Sequence, residues 1–212
     1  MVFQFLLFGI PVSVHWTTIF LFLIIFCDSF LYLRMNLKGK STRGYIIAGI
    51  FSVVLIILSV LVHETGHAVV AGSYGFKMTS AGINGAFAYV SNGFSMNTIE
   101  PYKEFLIALA GPASNFLLAL LGVPFIYLLG RSLPESTIRY FTIVNIRLGR
   151  INLWPVALLD GGRILNSIIR YTAGTANWTS YIPYLVSVIF IIYIFSKKRG
   201  HFELEHLIEK IP

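Results

Sequence analysis

Charge is scarce in this sequence. Only 12% of its 212 residues are Asp, Glu, Lys or Arg, and only nine are acids, against about 25% charged residues in a soluble domain. That shortage excludes a solvated globular surface. With 56% hydrophobic residues, it describes an integral membrane protein whose core is a bundle of spans packed on one another. Cysteine is nearly absent too: Cys27 stands alone, so no intrachain disulfide can form. The first residues lack the charged n-region and cleavage site of a signal peptide, and Thr17 to Leu33 is expected to stay as a span. There is no internal repeat and no low-complexity segment. The net charge of +7 lies mostly in short loops and at the chain end, where it orients spans against a bilayer. Nucleic-acid binding is not expected.

Against so few polar groups, one stretch stands out. His63-Glu64-Thr65-Gly66-His67 sits near the end of a long apolar run, Tyr45 to Val70. Histidines four apart share one helix face, a turn apart, so both imidazoles can reach one metal ion. Glu64 lies beside that face, within reach of a water on the ion. Neutral imidazoles suit Zn²⁺, which lowers the pKa of a coordinated water toward ~7, and a carboxylate can take that water's proton and pass it to a leaving amine. This is the H-E-x-x-H arrangement of zinc metalloproteases. A lone histidine on an apolar helix is usually structural. Two histidines and an acid within five residues, deep in an apolar segment, are costly there and functional by default. The alternative is a solvated pair lining an internal cavity.

The rest of the chain supplies the surroundings. Met1 to Val14 reads as an interfacial segment or short strand, and His15-Trp16 opens the first span at headgroup level. Asp28 is expected near the far end of that span. Arg34 to Arg43 forms a basic loop, and the second span runs from about Tyr45 to Ala71. His63 then lies ~27 Å from Tyr45, near the far membrane face. Gly72 to Asn97 is too short and too rich in Gly, Ser and Asn for a span. It is expected to form a β-hairpin or re-entrant segment, buried in protein or facing water, although a connecting loop without a role reads nearly as well. Glu100 to Gly130 is the third span, with a kink expected at Pro112. Gly111 and Ala113 would let a neighbouring helix approach closely, and Asn115 reads as packing or as an interhelical hydrogen bond. From Thr137 to Tyr171 a Pro and a Gly pair bracket Asp160, the pattern of a helix broken around a site. Asp160 either pairs with an arginine or supplies the third ligand that two histidines lack. Thr179 to Phe195 is the last span. Residues 1–196 read as one membrane domain, and 197–212 as a short basic tail with an amphipathic helix.

In order, these motifs resemble the site-2 protease family of intramembrane zinc metalloproteases. The match rests on His63-Glu64-Thr65-Gly66-His67, on Gly111-Pro112-Ala113-Ser114-Asn115, and on Asn152-Leu153-Trp154-Pro155 leading to Asp160-Gly161, which fits N-x-x-P-x-x-x-x-D-G without a gap. Gly9-Ile10-Pro11-Val12-Ser13-Val14-His15 is similar to the family's entry, and the likeness runs from about residue 9 to 170. The resemblance implies an all-α polytopic fold of about five to six transmembrane helices with a small membrane-level β-structure. It implies zinc held by His63, His67 and Asp160, with Glu64 as general acid/base. Asn152 would help to grip the substrate strand or polarise its carbonyl, and the segment carrying Gly82, Asn84, Ala86 and Ala88 would take the substrate as an added strand. The reaction would be cleavage of a peptide bond in or near a transmembrane segment of another membrane protein, in the cytoplasmic membrane, with the site near the cytosolic face and a regulatory membrane partner. The sporulation-type members look nearest; unlike them, this chain has no room for a CBS domain, nor for the PDZ domain of others. Two rival functions fit the sequence less well. A catalytically silent binding protein on the same fold would commonly lose Glu64. A metal transporter should show repeated halves. The loop arginines and lysines fall on the membrane face opposite the site, which the positive-inside rule would make cytosolic.

Overall fold

In a bilayer the backbone has no water to pair with, so long apolar runs must satisfy their own N–H and C=O groups as helix. The computed structural model, which describes residues 2–7, 10–77, 79–84, 87–91, 99–174 and 181–196, resolves the chain into strands β1 (Val2–Leu7) and β2 (Ile10–His15), helices α1 (Thr18–Asn36) and α2 (Thr42–Ser73), strands β3 (Ser80–Asn84) and β4 (Phe87–Ser91), and helices α3 (Pro101–Leu128), α4 (Leu133–Asn152), α5 (Asp160–Ala173) and α6 (Ile182–Ser196). Among the described residues α1, α2 and α3 are long and apolar enough to cross a membrane, and α6 is a shorter apolar helix. Their outer faces expose large side chains such as Phe20, Ile24, Ile50, Phe51, Leu120 and Ile192, a surface suited to lipid. The protein is an integral membrane protein built as a helical bundle.

Helix ends follow local chemistry. The Ser41 hydroxyl accepts from Gly44 N at 3.1 Å and starts α2, a cap worth ~1 kcal/mol. Pro101 sits at the start of α3 and Pro134 in the first turn of α4, where proline's missing N–H costs nothing. Helix α3 stays a single helix through Pro112 and Pro124.

The polar helix is in the middle. Helix α4 carries Glu135, Arg139, Arg147 and Arg150, yet it packs on α1, α2 and α3. Glu135 and Arg139 pair at 2.6 Å, both nearly buried. Asp28 was expected near the far end of its span. It instead lies mid-way along α1, because that helix continues to Asn36, and it accepts a hydrogen bond from Tyr140 of α4 at 2.9 Å. The broken helix expected around Asp160 is the α4–α5 junction.

The segment after α2 is the expected hairpin, but it belongs to a larger sheet. The order is β1-β2-β3-β4, with β1–β2 and β3–β4 antiparallel and β2–β3 parallel. The amino-terminal stretch thus supplies two strands. The tail from 197 to 212, where an amphipathic helix was expected, lies outside the described residues.

Helix α5 is fixed to α3 by a buried pair. Arg170 Nη1 donates to Glu104 Oε2 at 2.7 Å and Nη2 to the Ile99 carbonyl at 2.6 Å, while Asn166 Nδ2 donates to Glu104 Oε1 at 3.2 Å. Glu104 is 1% exposed. Removing one member of a buried pair strands the other charge, at ~3–5 kcal/mol, whereas replacing both by apolar residues is often neutral. Arg170→Met should therefore lower the melting temperature in detergent sharply. Glu104→Leu/Arg170→Met together should restore most of the loss, and a double variant as unstable as the single would show that the pair does not hold α5.

Candidate metal centre

Three buried side chains from α2 and α5 meet at one point. His63 and His67 stack one turn apart on α2, 7% and 5% exposed, and Asp160 opens α5 at 7% exposed. The two Nε2 atoms are 3.2 Å apart. Asp160 Oδ2 is 3.1 Å from His63 Nε2, and Oδ1 is 3.2 Å from His67 Nε2. Among the described residues this is the one group of three such ligands close enough to share an ion.

The far side of each ring decides what those atoms are. His67 Nδ1 lies 2.6 Å from the Ile107 carbonyl oxygen of α3, which can only accept, so Nδ1 carries the proton. His63 Nδ1 lies 2.6 Å from Asn115 Oδ1. The Asn115 amide is oriented in turn by a chain that ends on a carbonyl. Asn145 Nδ2 donates to the Phe141 carbonyl at 2.9 Å and to Ser59 Oγ at 3.0 Å, leaving Asn145 Oδ1 to accept from Asn115 Nδ2 at 3.0 Å. Asn115 Oδ1 must then face His63, whose Nδ1 donates. With both neutral rings protonated on Nδ1, both Nε2 lone pairs point at each other and at a carboxylate. Such a cluster is repulsive unless a cation sits among its members. Ligands on a tetrahedral zinc with bonds of ~2.0–2.1 Å stand ~3.3 Å apart, close to the separations here. The donor set and its spacing fit the ion.

The motif glycines follow from this geometry. A Cβ on Gly111 would fall on the Nε2 atoms of His67 and His63, and one on Gly66 would lie 2.8 Å from the Ala110 carbonyl oxygen. Only glycine lets α3 back directly onto the ring pair. Ahead of Asp160 the chain turns through Val156 N to Trp154 O at 2.7 Å and Leu159 N to Val156 O at 2.8 Å. Side chains at Gly161 or Gly162 would strike the carbonyls of that turn. Arg163 Nη1 also donates to Asp160 Oδ1 at 3.3 Å, so the expected arginine pairing of Asp160 is present alongside its contacts with the two histidines.

Glu64 is half-buried beside the trio, within charge-interaction reach of both histidines, Asp160 and Arg163. It makes no hydrogen bond or ion pair among the described residues, which leaves its oxygens free for a proton. Asn152 ends α4, half-buried. Gly82 lies inside β3, paired with Ser13 on one side and Tyr89 on the other, so it is no free edge, which corrects the expectation of a strand added there. Asn84 pairs with Phe87 at the end of the hairpin, Ala88 lies in the outer strand β4, and Ala86 is outside the described residues. Strand β4 packs against α2. Asn145 and Ser59 were not singled out by sequence reading. The signal for Asn145 was an amide in an otherwise apolar stretch, Ile143 to Ile146.

Comparison with known proteins agrees with this picture. The sequence model of peptidase family M50 matches residues 51–138 and 130–196. Rip3 of Mycobacterium tuberculosis is 32% identical over 165 residues, 76% of this chain and 42% of that protein. Zinc metalloprotease MJ0392 of Methanocaldococcus jannaschii is 28% identical over 167 residues, 78% of this chain and 44% of that protein. The chain thus spans less than half the length of the curated relatives it matches. The solved site-2 protease from Methanocaldococcus jannaschii superposes with a TM-score of 0.60 at 24% identity, covering 92% of this chain and 85% of that one, which marks a shared fold.

Partners of ligating histidines orient the ring and typically govern 10–100-fold in metal affinity. Asn115→Ala should weaken zinc binding by about that factor, read by competition with a chelator. Unchanged affinity would mean that the amide chain does not orient His63.

Proposed function

The chain belongs to peptidase family M50, and from that premise we propose that it is an intramembrane zinc endopeptidase acting on a transmembrane or membrane-proximal segment of another protein. The observation that carries this reading is the convergence of two Nε2 lone pairs and the Asp160 carboxylate, with an uncommitted Glu64 beside them. His63, His67 and Asp160 would hold the zinc. Bound there, the ion would supply Lewis-acid chemistry, polarising a carbonyl and lowering the pKa of water toward ~7.

The chain's own residues do the rest. Glu64 accepts a proton from the attacking water and returns it to the leaving amide nitrogen, which needs a carboxylate not already spent on a partner. Ile107 and Asn115 hold the two rings by their Nδ1 protons. Arg163 balances part of the negative charge at Asp160. A helical substrate must unwind first, because a peptide bond inside a helix is shielded by its own hydrogen bonds. Unwound backbone in a membrane leaves polar groups unpaired at several kcal/mol each. The outer strand β4, packed on the helix that carries the histidines, is the edge able to pair them by strand addition, and Asn152 at the end of α4 is the candidate for a second hold. The setting is the cytoplasmic membrane with the site towards the cytosolic face, and substrates should carry helix-breaking residues near the cut.

Two variants test this. Glu64→Gln should keep zinc bound while cleavage of a transmembrane substrate falls by at least ~10²-fold, the scale of general acid–base catalysis; unchanged turnover would remove Glu64 from the role. Ala88→Pro deletes one donor from β4. It should abolish cleavage with zinc content unchanged if that amide faces the substrate, and normal cleavage would exclude pairing at that amide.

A further inference from the structure

At the opposite end of α2 from the metal site, the α1–α2 turn builds a second polar site. Tyr45, buried in α2, donates its hydroxyl to the Leu37 carbonyl and accepts from Lys40 N at 3.3 Å. Gly39 takes φ of 83°, and Ser41 caps α2. Below the turn, Leu33, Tyr45 and Ala48 form a buried core against which Phe30 and Leu133 pack. The turn is thus held on both sides. Between the end of α1 and the start of α2 it leaves a cavity of about 380 Å³ lined by Arg34, Lys38, Lys40, Phe30, Thr42 and Tyr45 among others.

The charge of that cavity is one-sided. Three cations line it, and none of them makes an ion pair among the described residues. The acid at the start of α4 is not available: Glu135 is taken by Arg139 at 2.6 Å. The positive end of the α2 dipole adds to the same field. The three cations are exposed, so their mutual repulsion is screened by solvent, but they share one positive field that an anion placed among them neutralises. The two helices that the turn joins are both long and apolar enough to cross a membrane, so the cavity sits at the shared end of two candidate spans. Basic pockets between spans at that level suit phosphate-bearing headgroups, and the Phe30 and Tyr45 rings offer apolar wall beside the charges.

We propose that this cavity binds the phosphate of an anionic ligand at the membrane surface. Arginine at Arg34 can take phosphate oxygens in its planar fork, and Lys38 and Lys40 act as point charges beside it. The proposal is independent of the peptidase reading, since it uses no residue of the metal site.

The test is thermal unfolding of the whole chain in neutral detergent with added short-chain phosphatidylglycerol, phosphatidylcholine or inorganic phosphate. Phosphatidylglycerol should raise the melting temperature with half-saturation at least about tenfold lower than phosphatidylcholine. Arg34→Gln/Lys38→Gln/Lys40→Gln should lose that preference, while Arg43→Gln, in the first turn of α2 but not lining the cavity, should keep it. A saturable shift by inorganic phosphate, lost in the triple variant, would support the site with a soluble ligand as its source; a response to the lipid alone would make the ligand a headgroup. If circular dichroism shows that the triple variant is unfolded, Lys38→Gln and Lys40→Gln should each raise half-saturation about fivefold. The proposal is overturned if wild type treats both lipids alike and ignores phosphate, if the variants keep the wild-type preference, or if Arg43→Gln abolishes it equally.

Discussion

Two Nδ1 protons organise this molecule. One is held by a backbone carbonyl at Ile107 and the other by Asn115, and together they turn two imidazole lone pairs onto the same point as a buried carboxylate. Among the described residues no other group of three such side chains meets this closely. Placing this one inside a membrane domain is expensive, and the surrounding elements all serve to keep it in place. The chain from Asn115 through Asn145 to Ser59 and the Phe141 carbonyl ties α2, α3 and α4 together with side-chain amides. Such a network is stabilising only when every member is satisfied, and here each amide has its partner.

The other half of the design is the break between α4 and α5. The break puts Asp160 in the first turn of α5, facing the histidines from outside α2. Ending α4 at Asn152 and turning through Pro155 restarts the chain with Asp160 at the first residue of α5. Gly161 and Gly162 make room for the carbonyls of that turn. The Glu104–Arg170 pair then fixes the far end of α5 to α3, the same helix whose Gly111 backs the ring pair. Asp160 from α5 and His63 and His67 from α2 are therefore referenced to one scaffold, α3, which keeps groups from separate segments in a fixed mutual geometry.

Much of this was legible in the sequence because membrane chemistry makes polar residues conspicuous. His63, Glu64, His67 and Asp160 stood out as ionisable groups in apolar runs, and the Gly and Pro residues around Asp160 marked the broken helix. The glycines and length of the segment after α2 excluded a span but left a hairpin, a re-entrant segment and a plain loop all open. What could not be read was pairing in space. The first strands join the hairpin in one sheet through a parallel β2–β3 contact between distant segments, and no local pattern encodes that. Because of it, Gly82 is interior, and of the two hairpin strands it is β4 that lies at an edge of the sheet. Asp28 was misplaced along its span because nothing in the sequence marks where α1 ends. Asn145 was overlooked because a single amide in a helix reads equally as a surface residue, and its role depends on Ser59 and Asn115 arriving from two other helices. The basic turn at Arg34 to Arg43 was read only as an orienting charge. Its cavity is visible once Tyr45 is seen to clamp the turn.

The account stands or falls on what occupies the space between His63, His67 and Asp160. X-ray absorption at the zinc edge, on chain purified from zinc-supplemented cells, addresses it directly. The predicted spectrum shows a four-coordinate shell of N and O atoms at ~2.0–2.1 Å, with outer-shell scattering from two imidazoles and no sulfur. A chain that cannot be loaded with zinc, or a bound zinc whose shell lacks imidazole, would contradict it.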